Sequence, residues 1–270
     1  MNNTEVLLEV SEIAKRFHQK NDVVDALKPL SFSLSQRENL GIIGESGSGK
    51  STLLKLLIGL ISPTSGQVKL LGNDITGLRG KSARDIYRNM QMVFQNPSGS
   101  FNPRKKLRSS ILENMRQLCP VSSTAEYDYE IDRFLEKVGI SPELADRYPH
   151  NLSGGQCQRI AIVRALLVKP KILLCDEITS ALDVIAQARV IDLLLEMGRE
   201  LEIAILFVTH DLSLASNFCE NMIVLHQGGC VEAGNTSELI CNPIHSYTKQ
   251  LIKSFIEPLT SLEQKNTVLI

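Results

Sequence analysis

The sequence of 270 residues has little net charge and lacks any long apolar run. Its formal net charge of −1 at pH 7 predicts no general attraction to nucleic acid or anionic lipid. A bilayer-spanning helix needs about 20 apolar residues, and the longest apolar runs, residues 53–61 and 160–168, are interrupted by Lys55 and Arg164. The opening residues, MNNTEVLLEVSE, lack the basic start and apolar core of a signal peptide. We therefore expect a cytosolic protein that meets a membrane only through partners.

A C-x-x-C pair is also missing, although the sequence has six cysteines. They stand at positions 119, 157, 175, 219, 230 and 241. Zinc and iron–sulfur sites need clustered ligands, which this spacing does not supply. In a cytosolic setting we expect reduced, mostly buried thiols.

The segment GESGSGKST, residues 44–52, is the first of two decisive motifs. It fits the phosphate-binding pattern G-x-x-x-x-G-K-[ST], known as Walker A, in which glycines let successive backbone N–H groups point at a phosphate. The lysine reaches the β- and γ-phosphates, and the following hydroxyl ligates Mg²⁺. A buried strand predicted at residues 39–43 and an apolar helix predicted at 51–58 would aim the helix N-terminus at the anion. The predicted nucleotide-binding residues are Gly44, Glu45, Ser46, Gly47, Ser48, Gly49, Lys50, Ser51 and Thr52.

Strand patterns surround this loop on both sides. Residues 6–17 alternate as in an edge strand, and further strands are predicted at 31–34 and 67–71. From residue 96 to about residue 169 the pattern is helical instead. Residues 125–139, for example, carry apolar side chains at helical spacing, with charged residues between them.

Strand and helix alternate again after residue 170. The segment ILLCDE predicts a strand, residues 185–200 a helix, 203–208 another strand, and 223–233 a hairpin that turns at Gly228-Gly229. We therefore predict an α/β protein with a P-loop (RecA-like) NTPase core, an N-terminal antiparallel β region and an inserted helical subdomain. The predicted divisions are an ATPase domain at 5–255, with its core at 5–95 and 170–240 and the helical subdomain at about 96–169, and a C-terminal tail at 256–270.

The second decisive motif, LSGGQ, occupies residues 152–156. Ser153 can cap a helix beginning near Gln156, and the two glycines leave the backbone bare, so that N–H groups face an anion. The segments ILLCDE and SALD follow, and then an apolar strand that ends at His210. Carboxylates just past a buried strand, as at Asp176 and Glu177, can meet a metal-bound phosphate.

This ordered set of motifs resembles the ATP-binding subunits of ABC transporters, and the resemblance spans residues 5–255. It implies that two such domains hold two ATP molecules between the Walker A loop of one and the LSGGQ segment of the other. Ser153, Gly154, Gly155 and Gln156 would then bind the nucleotide of a partner subunit.

The resemblance also implies a role for each remaining motif. Asp176 would hold Mg²⁺ through water, while Glu177 would polarise the attacking water as general base. His210 would contact the γ-phosphate and help to orient that water. Gln95, in VFQNP, would touch Mg²⁺ and report the nucleotide state to membrane subunits, and Asp183 would act across the dimer seam. Phosphoryl transfer depends on positioning and charge neutralisation, which suits these residue types.

The resemblance thus implies a complete site, and we expect an active ATPase. Its expected catalytic residues are Glu177, His210, Lys50 and Gln95. Its expected Mg²⁺ ligands are Ser51, Gln95 and Asp176.

Three further positions need comment. Phe17 stands where the family has an aromatic side chain that stacks on adenine, although an aromatic residue in an edge strand is often only core packing. Ile178 replaces the usual proline after Glu177, which is expected to loosen the following loop slightly. Cys157 replaces the commoner arginine after LSGGQ, with a modest expected effect on hydrolysis.

Two segments resemble the importer branch for peptides and nickel: QMVFQNPSGSFNPRKKL, residues 91–107, and NPIHSYTKQLI, residues 242–252. Some members of that branch carry a cysteine-ligated iron–sulfur cluster near the C-terminus. Only Cys230 and Cys241 lie in that region here, so we predict no cluster. The resemblance implies an ATPase subunit that energises import of peptides, nickel or a metal chelate at the cytoplasmic face of a bacterial inner membrane.

The implied partners are a second ABC ATPase subunit, identical or homologous, two transmembrane permease subunits and, indirectly, a solute-binding protein. No nucleic-acid partner is expected. The alternative is a soluble ABC ATPase without a transport role, such as an iron–sulfur cluster assembly ATPase, which the motifs alone do not separate from an importer subunit. The expected cofactors are ATP and Mg²⁺.

Overall fold

Two β-sheets form the framework of the chain. The computed structural model describes residues 5–19, 22–119, 123–180 and 182–254. Its strands are β1 (Val6–Gln19), β2 (Asp22–Ser35), β3 (Asn39–Ile43), β4 (Ser65–Leu70), β5 (Asn73–Asp74), β6 (Met90–Val93), β7 (Ile172–Asp176), β8 (Ala204–Thr209), β9 (Asn221–His226) and β10 (Gly229–Asn235). The larger sheet has the order β10-β9-β3-β8-β7-β6 and is parallel except for the β9–β10 hairpin. The smaller sheet is antiparallel, with the order β2-β1-β4-β5.

Helices cover both faces of the larger sheet. They are α1 (Lys50–Leu57), α2 (Arg84–Asn89), α3 (Leu107–Leu118), α4 (Thr124–Lys137), α5 (Gly154–Leu166), α6 (Val184–Glu200), α7 (Leu212–Phe218) and α8 (Thr236–Cys241). Residues 246–254 are helical as well. Because β7 and β8 are buried along their whole length, their sequences are nearly continuous apolar runs, as expected for parallel strands with both faces covered.

Side chains of the parallel strands alternate between two hydrophobic cores. Leu173 and Cys175 of β7 join a core with α3 to α7, whereas Ile172 and Leu174 join a core with α1 and the antiparallel sheet. This division follows from strand geometry, since successive side chains point to opposite faces. The sheet is therefore packed against a hydrophobic core on each face.

The prediction that residues 6–17 form an edge strand was wrong. β1 pairs with β2 on one side, with Phe17 opposite Val24, and with β4 on the other, with Val10 opposite Val68. The edges of the antiparallel sheet are β2 and β5. Alternation reports that one face of a strand is buried; it does not report how many neighbours the strand has within the plane of the sheet.

The predicted α/β class is confirmed, with local differences. α2 and β6 were not predicted, because a six-residue helix and a four-residue strand of Met, Gln and Val are too short for a periodic signal. The β9–β10 hairpin is present, but it turns at Gln227-Gly228, one residue earlier than predicted. Both turn residues have positive φ, 47° and 77°, as tight hairpin turns require.

The helices α3, α4 and α5 lie within residues 96–169. The division of the chain into a core and a helical subdomain stays a prediction, and the predicted tail at 256–270 lies outside the described residues. In the part of the chain that the structure describes, no helix is both long and apolar enough to cross a bilayer.

Leu174→Ala should destabilise the fold. The Leu174 side chain of β7 is fully buried in the core that also contains Leu53 and Leu57 of α1, so its truncation leaves a cavity. We expect the free energy of unfolding to fall by about 2–5 kcal/mol, measured by urea denaturation. The control is Val23→Ala, at an exposed position of β2, which should change it by less than about 0.5 kcal/mol. Equal effects of the two variants would contradict this account of the core.

Candidate nucleotide-binding site

The glycine-rich loop between β3 and α1 packs closely against neighbouring backbone. A Cβ atom on Gly44 would lie 2.2 Å from the carbonyl oxygen of Leu225, and one on Gly49 would lie 2.6 Å from that of Ala26. Gly49 also has a φ of 104°, a backbone conformation that residues other than glycine rarely adopt. The loop thus needs glycine at these positions because β9 and β2 leave no space there.

Lys50, the first residue of α1, has a buried side chain. Its ammonium donates to the carbonyl oxygens of Gly44 at 2.6 Å and of Glu45 at 2.9 Å. It also lies 3.3 Å from the Glu177 carboxylate, and only 4% of its side chain is exposed. A buried charge is costly unless paired and hydrogen-bonded, and these three oxygens meet that requirement.

The Glu177 carboxylate is the meeting point of several predicted residues. Gln95 donates its amide N–H to one carboxylate oxygen at 3.0 Å, and His210 Nδ1 lies 3.6 Å from the same oxygen. Glu177 has φ of 45°, and its backbone N–H donates to Val208 in β8 at 3.0 Å. A non-glycine residue in this region is strained, and such strain often marks a functional position. Residues following β6, β7 and β8 therefore converge on one carboxylate.

Ser51 and Asp176 form a second polar contact beside this cluster. The Ser51 hydroxyl donates to the Asp176 carboxylate at 3.0 Å. Burial raises the pKa of Asp176, while the hydrogen bond from Ser51 opposes that rise. Both residues, with Gln95, line an open cavity of about 380 Å³. Hard oxygen donors around a roomy cavity fit the ligand preference of Mg²⁺, so the residues present suit this ion.

A cleft of about 440 Å³ lies over the loop. One side is formed by Gln95, Glu177 and six of the nine predicted loop residues, namely Ser46, Gly47, Gly49, Lys50, Ser51 and Thr52, whereas Gly44, Glu45 and Ser48 do not line the cleft. The other side was not predicted. It consists of Val24, Asp25, Ala26, Gln227 and Gly228.

The hairpin turn is tied directly to the loop. Gly228 donates its N–H to the Ser48 carbonyl at 3.2 Å, and a Cβ there would lie 2.8 Å from the carbonyl oxygen of Asp25. The consecutive glycines after Gln227 were the available signal, but the sequence indicated only a turn.

Phe17 lies near the cleft without lining it. Its ring is 38% exposed, the Lys15 ammonium lies 5.0 Å from its centroid, and its cross-strand neighbour Val24 belongs to the cleft wall. A cation over a ring face stabilises such an exposed aromatic. The role of Phe17 in binding adenine stays a prediction.

The LSGGQ segment begins α5 as a capped helix. Ser153 accepts from the Gln156 backbone N–H at 3.3 Å, while the Gln156 side chain accepts from the Ser153 N–H at 3.0 Å. This reciprocal pair is a capping box. Among the described residues, none of 153–156 lines the cleft over the Walker A loop of the same chain. Asp183 caps α6 in a similar way, accepting from Ala186 N–H at 2.9 Å.

The two positions that depart from the family pattern are both buried. Ile178 packs into the core with the helices, and Cys157 lies in the same core with its thiol 3.9 Å from the Pro149 carbonyl oxygen. Burial raises the pKa of the Cys157 thiol, while nearby Arg164 opposes that rise. Their effects on turnover stay predictions.

The expectation of mostly buried cysteines holds for half of them. All six are free. Cys157, Cys175 and Cys219 are buried, whereas Cys230 and Cys241 are exposed. Throughout the described ranges, no group of three or more His, Cys, Asp or Glu side chains could hold a metal ion.

Comparisons with known proteins identify relatives along nearly the whole chain. Residues 27–180 match the family described as ABC transporter. The oligopeptide transport ATP-binding protein OppF of Escherichia coli K12 is 38% identical over 272 residues, 97% of this chain and 81% of the relative. The oligopeptide transport ATP-binding protein AppF of Bacillus subtilis 168 is 41% identical over 260 residues, 93% of this chain and 79% of the relative.

Solved structures show the same fold. A dimeric ATP-binding cassette in a post-hydrolysis state, bound to ADP and Pi, has a TM-score of 0.78 at 28% identity, covering 85% of this chain and 99% of that chain. CbiO1 of Clostridium perfringens, described as part of an ABC transporter complex, has a TM-score of 0.75 at 29% identity, covering 88% of this chain and 92% of its own. These matches confirm the predicted cassette fold, and the transport names give no support to the iron–sulfur assembly alternative. The chain therefore belongs to the ABC transporter family, as an ATP-binding and ATP-hydrolysing subunit.

Proposed function

We propose that this ATPase energises a peptide importer at the cytoplasmic face of a bacterial inner membrane. The observation that carries the proposal is the match to two oligopeptide transport ATP-binding proteins at 38% and 41% identity over more than nine-tenths of the chain. Sequence similarity over most of a subunit, 81% and 79% of these relatives, rather than over the nucleotide motifs alone, favours a shared task. The cargo would be selected by a solute-binding protein and two permease subunits.

The contacts of the Glu177 carboxylate with Lys50, Gln95 and His210 support a specific role for each of these residues in hydrolysis. The Glu177 carboxylate lies 3.3 Å from the Lys50 ammonium and neutralises its charge. The negatively charged phosphates of ATP would replace Glu177 as the ion-pair partner of the Lys50 ammonium. The Glu177 carboxylate would then be available to polarise water. His210 and Gln95, which already lie beside that carboxylate, would orient the water and the γ-phosphate. The released proton would pass to Glu177.

Mg²⁺ would be held by Ser51, Gln95 and Asp176, with Asp176 acting through water. When bound, the ion would neutralise charge on the β- and γ-phosphates. The Ser51–Asp176 hydrogen bond holds both oxygen donors beside the cavity.

A second ATPase subunit would complete each site. Residues 153–156 of the LSGGQ segment do not line the cleft of their own chain. They form the capped N-terminus of α5, and a helix N-terminus is a common anion-binding site. The structural neighbour bound to ADP and Pi is dimeric. Ser153, Gly154, Gly155 and Gln156 would therefore contact ATP held by the partner, and Asp183 would lie at the seam. Identical and homologous partners both suit this arrangement.

Glu177→Gln should separate binding from hydrolysis. The amide keeps the size and hydrogen-bonding capacity of the side chain but cannot accept the proton from water. We expect hydrolysis by the purified transporter to fall by at least about 100-fold, with ATP affinity retained, measured by phosphate release and by titration with a fluorescent ATP analogue.

The control is Lys50→Ala, which removes phosphate contacts made before reaction and should weaken binding itself. Hydrolysis by Glu177→Gln at the wild-type rate would show that another group activates water.

A third cavity supports docking of the permease subunits. It measures about 460 Å³ and lies between the core and α3, next to the segment that leads into Gln95. Leu60, 48% exposed, contributes to its rim, and Phe94 joins it to Gln95. This cavity is lined by both apolar and polar side chains, and it shares Phe94 with the cavity that Gln95 lines. It suits a cytoplasmic segment of a permease, because a movement of Gln95 would shift the neighbouring Phe94 in its wall.

Leu60→Glu should weaken association with the permeases, because a carboxylate in place of this exposed apolar side chain must be desolvated on docking. We expect recovery of the two permease subunits with the affinity-tagged variant, from detergent-solubilised membranes, to fall at least roughly fivefold, equivalent to about 1 kcal/mol.

Tyr129→Glu is the matched control, at an exposed position of α4 that does not line this cavity. It should leave recovery unchanged. Undiminished recovery with Leu60→Glu would exclude this cavity, and recovery of soluble partners alone with the wild-type protein would exclude the importer.

Deletion of the gene should abolish uptake of labelled dipeptide or oligopeptide and leave uptake of labelled nickel intact, if peptides are the cargo. The wild-type gene should restore peptide uptake, whereas the Glu177→Gln gene should not, since transport depends on hydrolysis. Loss of nickel uptake with intact peptide uptake would assign the subunit to a nickel importer instead.

A further inference from the structure

The C-terminal segment, residues 242–254, returns to the nucleotide loop. Its start is held by Glu232 of β10, whose carboxylate accepts from the backbone N–H groups of Ile244 at 2.8 Å and His245 at 3.0 Å. Its helical part, residues 246–254, is fastened by Ile252, which joins the core that contains α3 to α7. The segment is therefore anchored at both ends, and the residues between them have a defined position.

Tyr247 is the residue of this segment that reaches the loop. The backbone N–H of Glu45 donates to its hydroxyl oxygen at 3.1 Å. The ring stacks on His226 at the end of β9, with centroids 3.9 Å apart and planes at 29°, and only 7% of the residue is exposed. Two independent contacts, one polar and one aromatic, thus fix the hydroxyl against the second residue of the Walker A motif.

Glu45 is held on both sides of its α-carbon. Its N–H is bound by Tyr247, while its carbonyl oxygen accepts from the Lys50 ammonium at 2.9 Å and from the Ser48 N–H at 3.2 Å. Glu45 does not line the cleft, whereas Ser46 and Gly47, which follow it, do. The Glu45 N–H therefore attaches the loop to the C-terminal segment, and the loop residues that line the cleft begin one residue later.

We propose that Tyr247 is a positioning residue for the ATP site. Tyr247 does not line the cleft. By binding the Glu45 N–H it holds the peptide group that also carries the Gly44 carbonyl, which accepts from Lys50 at 2.6 Å, and it thereby positions the start of the phosphate-binding loop. Preorganised donors lower the cost of ordering a loop on binding. Loss of the hydroxyl leaves the Glu45 N–H without its partner, so the loop samples orientations in which Lys50 and the following amides point away from phosphate.

The test is Tyr247→Phe in the full-length protein, which keeps the ring stacked on His226 and removes only the hydroxyl. The dissociation constant for a fluorescent ATP analogue and the KM for ATP should both rise roughly three- to tenfold, the range for one lost hydrogen bond that positions the site. The kcat should stay within about twofold, because Glu177 and Lys50 act unchanged once ATP is bound.

Thr236→Val is the matched control. It removes an equally buried hydroxyl, which donates to the Cys219 carbonyl at 2.7 Å, from a part of the C-terminal region that does not contact the loop. It should lower the melting temperature without changing ATP affinity by more than about twofold. Binding of the analogue by the wild-type protein, and its loss in Lys50→Ala, tests the ATP site separately from the role of Tyr247.

Three results would overturn the inference. The first is an ATP affinity of Tyr247→Phe within about twofold of wild type. The second is an equal loss of affinity in Thr236→Val, which would show that general destabilisation suffices. The third is a fall in kcat with unchanged affinity, which would assign Tyr247 to the chemical step instead of loop positioning.

Discussion

The buried ammonium of Lys50 is the constraint on which the site depends. A lysine that is 4% exposed is stable only with oxygen partners close by, and here two loop carbonyls and the Glu177 carboxylate supply them. The two carbonyl groups belong to the loop, which curls around the ammonium. The Glu177 carboxylate follows β7, so its contact with Lys50 links the end of β7 to α1. The two buried cores of the sheet keep β3 and β7 rigid enough for this pairing to have one geometry.

The same carboxylate joins the nucleotide loop to the rest of the molecule. Glu177 follows β7, contacts Gln95 after β6 and lies near His210 after β8. A change in the partners of its carboxylate would therefore alter contacts at the ends of all three strands. In our proposal, ATP exchanges a protein carboxylate for a phosphate at Lys50. Because Phe94, the neighbour of Gln95 in the chain, lines the cavity beside α3, that exchange has a short physical route to a docked permease.

The site is also built from parts that are distant in sequence. One wall of the cleft comes from β2 and the β9–β10 turn, and the base of the loop is held by Tyr247 near the C-terminus. The signature segment at the start of α5 lies outside this cleft. The Walker A loop is therefore held in place by other parts of its own chain. We propose that another subunit covers the open side of the cleft over this loop.

Sequence alone determined the cassette family, the α/β class and the nucleotide motifs. It could do so because the phosphate loop, the capped LSGGQ helix and the buried strand before Asp176 each encode their local geometry within a few residues. Only the tertiary structure decided that β1 lies inside its sheet, that Gln227 and Gly228 line the cleft, and that Tyr247 binds Glu45. Those features arise where segments about 20 to 200 residues apart meet, and neither periodicity nor local propensity carries information about such meetings.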